Sequence, residues 1–500
     1  MRNFDLVIIG TGSANSIPGP EFDHWNIAVV ESGLFGGTCL NVGCIPTKMF
    51  VYPADIAEAV TTAGPLNLTG PTPTVDWPGL RDRIFGRIDS IEAGGREYRT
   101  GDRNPNVTVF AGHGRFTGDK QLTVDLHDGG TAEFTADRVV IGAGSRATVP
   151  PFPGLGDRPG EPGENGVVFH TSDTIMRIDD LPASIVIVGG GYIAAEFAHV
   201  FASFGTRVTQ IARGPHLLGH HDADISVAYT AVARHRYDVR TRTTVTAVEA
   251  APGGGQLVHL DGPDGTDTVQ ADQLLIATGR TPNGDRLDLD RTGVAMDKAG
   301  RIVVDEYQRT GVTDIWALGD VSSHYPLKHV ANAEARTVRH NLAHPEKLVA
   351  TDHRFVPAAV FTHPQIASVG CTQGELVENG QDFVVAQHRY GHIAAGWARE
   401  DETGFVKLIA DPQSGKLLGA HIMGPEAATV IQPLIQAMSF GQTAAELARG
   451  QYWIHPALTE VLENALLALP APLEYGELDA AEHDGGGVAQ LSNQAEPIEV

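Results

Sequence analysis

Cysteine is scarce in this chain: three residues in 500, at Cys39, Cys44 and Cys371. So few exclude a disulfide-stapled secreted scaffold. They fit a reducing compartment, where a disulfide is catalytic rather than structural. Basic residues are in deficit, 36 Lys and Arg against 61 Asp and Glu, for a net charge of −25 and a pI near 5.2. That balance excludes nucleic acid and anionic membrane as partners. Long uninterrupted apolar runs are also missing. The most apolar stretch, 185–204, contains three glycines and Glu196, and reads as strand, turn and helix rather than a membrane span. The chain opens Met1-Arg2-Asn3-Phe4-Asp5 and passes directly into a strand, with no basic segment leading into an apolar one, so a cytoplasmic protein is expected. What is present is ordinary for a globular enzyme: 42% hydrophobic residues, over a length suited to three or four domains.

Two of the three cysteines stand four residues apart in Gly36-Gly37-Thr38-Cys39-Leu40-Asn41-Val42-Gly43-Cys44-Ile45-Pro46-Thr47-Lys48. Pro46 suits the first turn of a helix, where its missing N–H costs nothing. Cys44 then lies at a helix N-terminus, where unpaired N–H groups and the helix dipole favour a thiolate. Lys48 falls on the same face one turn later and pulls the thiol pKa further down. Cys39 is expected before that helix, on a Gly-rich loop flexible enough to close a disulfide with Cys44. A bare C-x4-C also suits two structural cysteines. The glycines, Pro46, Lys48 and the fold upstream favour a redox pair. Cys371 reads as a small buried residue.

The fold upstream is a dinucleotide-binding unit, and it recurs. A strand ending at Ile9 enters Gly10-Thr11-Gly12-Ser13, and a second strand ends at Glu31, about twenty residues on, where a carboxylate takes ribose hydroxyls. The third fingerprint position holds Asn15 instead of Gly, and Ile17-Pro18-Gly19-Pro20 should break the following helix early. The second unit is cleaner: the β run Ser184–Val188, the turn Gly189-Gly190-Gly191-Tyr192-Ile193-Ala194, a helix, and a strand ending at Ile211. One such fingerprint is weak evidence; two in strand–turn–helix context, with a cysteine pair after the first, are strong.

With these motifs the chain resembles the class I pyridine nucleotide–disulfide oxidoreductases, the glutathione reductase and lipoamide dehydrogenase superfamily, from about residue 4 to 470. The resemblance implies an α/β fold. Two Rossmann-like domains bind FAD and NADPH, and a C-terminal α+β dimerisation domain follows. The expected segments are 1–150 for FAD, 151–280 for NADPH, 281–349 returning to the FAD domain, 350–470 for dimerisation, and 471–500 a disordered acidic tail. FAD falls to the first unit: Gly10, Gly12, Ser13, Glu31, Thr38 and Lys48, with Gly142-Ala143-Gly144 on its ADP part and Gly319-Asp320 on its ribitol side. NADPH falls to the second: Gly189, Gly191, Ala194, Arg213, with Gly279 and Arg280 closing it. Ala212 stands where NADH-using relatives keep a carboxylate, and Arg213 supplies a fork for a 2′-phosphate. NADPH is therefore favoured over NADH, and lipoamide dehydrogenase activity is disfavoured. A second arginine common in NADPH-using relatives is replaced near Gly219, where His220 or His221 partly compensates.

The same resemblance gives the catalytic set. Glu196 pairs with Lys48 near the flavin. Tyr452-Trp453-Ile454-His455-Pro456-Ala457-Leu458-Thr459-Glu460 matches the H-P-x-x-x-E of the active site. There His455 is the proton donor and Glu460 holds its other nitrogen. In the family this histidine reaches the partner subunit's site, implying a two-fold homodimer. Cys44 is the sulfur beside the flavin, and Cys39 attacks a low-molecular-weight disulfide substrate. No metal is expected. Mercuric reductase and large thioredoxin reductases need further C-terminal cysteines, and none follows Cys371. Glutathione reductase-like activity stays open, as does a flavoprotein subunit without disulfide turnover. The broken segment 16–20 is expected to admit a bulky, sugar-bearing disulfide and to lack basic clamps. Arg96, Tyr98 and Arg99 are candidate substrate-facing residues.

Overall fold

The computed structural model describes residues 1–71 and 73–470; the expected acidic tail, 471–500, lies outside the described residues. The chain divides into two compact units. One comprises 1–60, 72–211 and 243–356, and the other 61–71, 212–242 and 357 onward.

The first unit is built on a larger mixed sheet and a smaller parallel one. In the larger, β1 (Arg2–Ile9) is central and pairs in parallel with β2 (Ile27–Glu31) on one side and β5 (Thr131–Ile141) on the other. The register sets Leu6 against Ile27 and Val7 against Val139. β2 continues in parallel to β3 (Val107–Gly118), which turns antiparallel into β4 (Gln121–Leu126) and so back to β5. Ile315–Ala317 adds a parallel strand beyond β5. Strands covered on both faces must be apolar throughout, and Leu6–Ile9, Ile27–Val30 and Val139–Ile141 are all buried. The smaller parallel set is Gln273–Ile276, Ser184–Val188 and Arg207–Ile211 in that spatial order. An antiparallel trio spans 244–271.

Helices follow the strand ends. After β1 no α-helix forms. The Pro18–Pro20 run leaves only 3-10 turns at Ser13–Ser16 and Pro20–Phe22, as the sequence predicts. Next come α1 (Gly37–Asn41), α2 (Cys44–Thr61) and α3 (Trp77–Thr100). Trp77 stacks between Phe50 of α2 and Phe201, tying α2 and α3 to the helix Tyr192–Ser203. The second unit carries a five-stranded antiparallel sheet, in the order 358–360, 365–370, 417–424, 405–410, 384–389. Its core holds a buried ion pair. Lys407 Nζ lies 2.8 Å from Asp222 and 2.7 Å from Asp224, at the start of the helix Ala223–Arg236. The fold is the α/β architecture with a C-terminal α+β module that the sequence implies.

Candidate functional site

The redox cysteines sit where α1 hands over to α2. Cys39 lies on α1, a short helix of its own, and not on a loop. Cys44 is the first residue of α2, with Pro46 in its first turn. Both are thiols, and they are hydrogen-bonded to one another. That bond decides which sulfur holds the proton. Cys39 is pulled down to about 7 by the hydrogen bond with Cys44, with further help from Lys328 and from backbone N–H groups at the start of α2. Cys44 is pushed up by the same bond, by burial and by the negative charge of Glu196. Both shifts run toward charge on Cys39, whereas the helix terminus by itself favours charge on Cys44.

The first glycine turn is tightly built. Gly10 has φ +100°, and a Cβ there falls 2.3 Å from the Gly142 carbonyl oxygen. A Cβ on Gly37 falls 2.8 Å from Gly12 Cα, so α1 rests directly on this turn. Open space lies over Gly12 and Gly144, where a bound pyrophosphate and adenosine need backbone to approach. Glu31, ending β2, accepts from the Thr11 N–H at 2.8 Å and the Gly33 N–H at 2.7 Å, which fixes its carboxylate beside the turn. Asn283 donates to the Ala143 carbonyl. On the far side, Ser145 Oγ donates to Asp320 at 2.6 Å, and Arg280 Nε donates to the same Ser145 Oγ at 2.7 Å. The Gly319 N–H is held by the buried Glu334 carboxylate at 2.6 Å. These donors, acceptors and gaps fit a flavin dinucleotide.

The second turn is regular. Gly189 has φ +151°, and its missing Cβ makes room for the Ala277 carbonyl. Gly191 is the N-cap of the Tyr192–Ser203 helix and faces open space, as does Gly279, while Ala194 is buried in the first turn. Free N–H groups at a helix N-terminus suit a pyrophosphate. The Tyr192 residue is 39% exposed, yet loss of water around its phenol, with Asp320, Glu196 and Cys44 nearby, pushes it up to about 12, so it stays neutral. Glu196, one turn along the same helix, is buried and bears on Cys44. Thr38 lies beside Cys39 on α1, and Lys48 is partly buried one turn after Cys44.

In the second unit, Ala212 is buried and Arg213 exposed. His455 and Glu460 are brought together: Nδ1 meets Oε1 at 2.6 Å, and the Ala457 N–H donates to the other carboxylate oxygen at 3.2 Å. A donor Nδ1 leaves Nε2 for proton exchange, and the His455 side chain is 70% exposed. Cys371 is only partly covered, and its carbonyl accepts from His421.

Two expectations need correction, for Arg99 and for the 16–20 segment. Arg99 does not face a substrate: it is 6% exposed, with its guanidinium on the Asn15 side chain and carbonyl and on Asn104. Arg96 is half-exposed and pairs with Glu92, which leaves its candidacy open. The 16–20 segment is not free of arginines, because Arg99 and Arg339 both reach it; each is committed, Arg339 to Glu21. Sequence reasoning missed Ser145, Tyr192 and Lys328. Tyr192 stood inside the glycine fingerprint and was legible there. No motif marks the other two.

The model of the pyridine nucleotide-disulphide oxidoreductases matches residues 4–335, and that of their dimerisation domain matches 356–466. The chain belongs to this family. Its members use FAD and a nicotinamide dinucleotide, which accounts for the two glycine turns. Mycothione reductase of Mycobacterium tuberculosis is 51% identical over 478 residues, covering 94% of this chain and all of that protein. Mercuric reductase of Streptomyces lividans is 35% identical over 91% of this chain and 94% of its own. Dihydrolipoyl dehydrogenase of Mycobacterium bovis is 33% identical, over 94% and 98%. Among solved structures, the HOCl-induced flavoprotein disulfide reductase RclA of Escherichia coli superposes with a TM-score of 0.79 at 27% identity, over 93% of this chain and 99% of that one. Among the described residues, no helix is long and apolar enough to cross a membrane, and no cluster of three or more His, Cys, Asp or Glu is placed to hold a metal ion.

Proposed function

We propose that the protein is an NADPH-dependent reductase of mycothione, working as a cytoplasmic homodimer. The observation that carries this reading is the hydrogen-bonded Cys39–Cys44 pair at the head of α2, in a chain half identical to mycothione reductase along nearly its whole length. Residues 1–150 and 281–349 bind FAD, 151–280 bind NADPH, and 350–470 form the subunit interface. Support for the interface comes from Tyr452 and Ile454, next to His455, and from Phe440 at the end of the 432–440 helix, large apolar side chains at least 75% exposed.

When bound, FAD carries two electrons from NADPH to the Cys39–Cys44 disulfide. The chain supplies the rest. Arg213 reads the 2′-phosphate, Lys48 paired with Glu196 places positive charge beside the flavin, and Asp320 holds its ribitol side. Cys39 thiolate attacks one sulfur of mycothione. A Cys39–sulfur bond forms as the substrate S–S bond breaks, and the leaving thiolate takes a proton from His455. Glu460 holds the imidazole in the tautomer this needs. Cys44 then attacks Cys39, restoring their disulfide, and the second leaving thiolate takes up the proton Cys44 gives away.

The deciding experiment compares kcat/KM for mycothione, glutathione disulfide and lipoamide at saturating NADPH. Mycothione should lead by about a hundredfold or more, because a site that hydrogen-bonds a substrate's hydroxyls discriminates strongly against disulfides lacking them. If glutathione disulfide equals mycothione, the substrate assignment falls and only a general disulfide reductase survives. If lipoamide leads with NADH, the nucleotide assignment falls as well.

A further inference from the structure

We infer that His199 is a positioning residue for the disulfide chemistry: buried between Asp55 and Ser203, it fixes the redox helix α2 against the helix Tyr192–Ser203 that follows the second glycine turn; this rests on the reductase reading of the cysteine pair.

The side chain of His199 is wholly buried, and both of its ring nitrogens are engaged. Nε2 meets Asp55 Oδ1 at 2.8 Å, and Nδ1 meets Ser203 Oγ at 3.1 Å. Ser203 Oγ donates in turn to Glu58 Oε2 at 3.1 Å. The directions of these bonds fix the proton count. Carboxylates only accept, and a serine hydroxyl has one proton to give. With that proton on Glu58, Ser203 can only accept from Nδ1, and Asp55 can only accept from Nε2. Both nitrogens therefore donate, and His199 is an imidazolium. Turning the hydroxyl the other way would set two acceptors, Ser203 Oγ and Glu58 Oε2, face to face. A cation this deep persists only where carboxylates and hydrogen bonds answer it, and here α2 supplies the carboxylates, Asp55 directly and Glu58 through Ser203. Bonds of this charge-assisted kind are the strong ones.

The clamp grips the functional faces of both helices. On α2, Asp55 comes eleven residues after Cys44 and seven after Lys48, a spacing that puts all three on one face. On the other helix, Glu196, His199 and Ser203 follow at i, i+3 and i+7, again on one face. The bond that joins Asp55 to His199 therefore turns the face bearing Cys44 and Lys48 toward the face bearing Glu196. Pro53 lies inside α2 between Lys48 and Asp55, and it gives the helix ladder no N–H there. Ties to the Tyr192–Ser203 helix bracket this weak point. Before it, Phe50 stacks on Trp77 and Trp77 on Phe201; after it come Asp55 on His199 and Glu58 on Ser203. Cys39 stands on α1, a separate helix, so the meeting of the two sulfurs depends on how firmly α2 is held.

The test reads the cysteine pair at equilibrium and needs neither mycothione nor turnover. Holoenzyme is equilibrated without oxygen in buffers of reduced and oxidised dithiothreitol. Free thiols are trapped with iodoacetamide, and the Cys39–Cys44 disulfide is counted by peptide mass. His199→Ala should make that disulfide about tenfold easier to reduce, a rise of about 30 mV in its potential, because a loosened α2 brings the two sulfurs together less often. His199→Gln, whose amide still donates to Asp55, should restore most of the difference. Asp55→Ala should act in the same direction by less, and serves if His199→Ala does not fold. Adding Asp55→Ala to His199→Ala should shift the potential no further. An unmoved potential in the folded variants overturns the inference whatever the melting temperature does, since lost stability alone does not alter the balance between thiols and disulfide. A glutamine variant as easily reduced as the alanine one also overturns it, and assigns the effect to the cavity. If the parent forms no Cys39–Cys44 disulfide in any buffer, the reductase reading falls and the inference with it. Failure of mycothione as the substrate leaves these readouts untouched, so the two are separable.

Discussion

The two dinucleotide turns reach similar ends by different means. At Gly189–Ala194 the strand, the turn and a twelve-residue helix follow one another without interruption, and the helix N-terminus is open. At Gly10–Ser13 the strand and turn are intact, but the helix is reduced to a four-residue 3-10 turn. What the backbone loses there, side chains from distant segments replace. Arg99, from the end of α3, holds the Asn15 carbonyl and side chain, while Arg339 holds the Ser16 carbonyl and Glu21. A continuous helix satisfies its own backbone; a broken one needs donors brought in from elsewhere.

The largest effects should fall on what the turns share. Gly10→Ala and Gly189→Ala each drive a Cβ to within 2.3 Å of a carbonyl oxygen, at positive φ. Each should cost about 3 kcal/mol or more and release its dinucleotide, measured by thermal melting and by flavin content. If Gly189→Ala were tolerated while Gly10→Ala was not, the two turns would not be equivalent in packing.

Arg99→Met should separate them. It removes the buried donor from the Asn15 carbonyl after the first turn, whereas the second turn keeps both a continuous helix and its own buried donor, Gln210 on the Gly189 carbonyl at 2.9 Å. A loss of about 2 kcal/mol is expected, with flavin released at lower temperature and nucleotide affinity unchanged. A Tm equal to that of the parent would show that the broken segment holds itself.

Arg213→Ala should act on the nucleotide alone. KM for NADPH should rise about ten- to a hundredfold, matching the roughly 1.5–3 kcal/mol of a charge-assisted bond, while KM for NADH stays put. Equal changes for both nucleotides would deny Arg213 the 2′-phosphate. The smallest effect belongs to Arg339→Ala. Its pair with Glu21 is more than a third exposed on the arginine side, so stability should fall by no more than about 1 kcal/mol.

Features confined to one stretch of chain were legible in the sequence. The cysteine pair, both glycine turns, the His455–Glu460 motif and the breaking of the first helix by prolines all follow from neighbours a few residues apart. Features that join distant segments were not. Arg99 lies in the charged end of a helix, Gly-Gly-Arg-Glu-Tyr-Arg, which reads as a substrate-facing candidate; only its 84-residue reach to Asn15 buries it. Ser145 acquires meaning from Asp320, 175 residues on, and Lys328 from Ser13, 315 residues back. The charges around the cysteine pair are long-range in the same way: a helix terminus is visible in sequence, whereas Glu196 and Lys328 come from helices far along the chain.

The contact between Gly10 and Gly142 bears on how the cofactor arrives. Two strand ends meet there with no side chain between them, and the Gly142 N–H closes on the Ile9 carbonyl at 2.8 Å. The floor of the cleft is therefore rigid before any flavin enters. A preformed floor loses little conformational freedom when it is occupied, so the binding free energy goes into holding the guest rather than shaping the host. At this contact, then, flavin entry asks no rearrangement of the two strand ends.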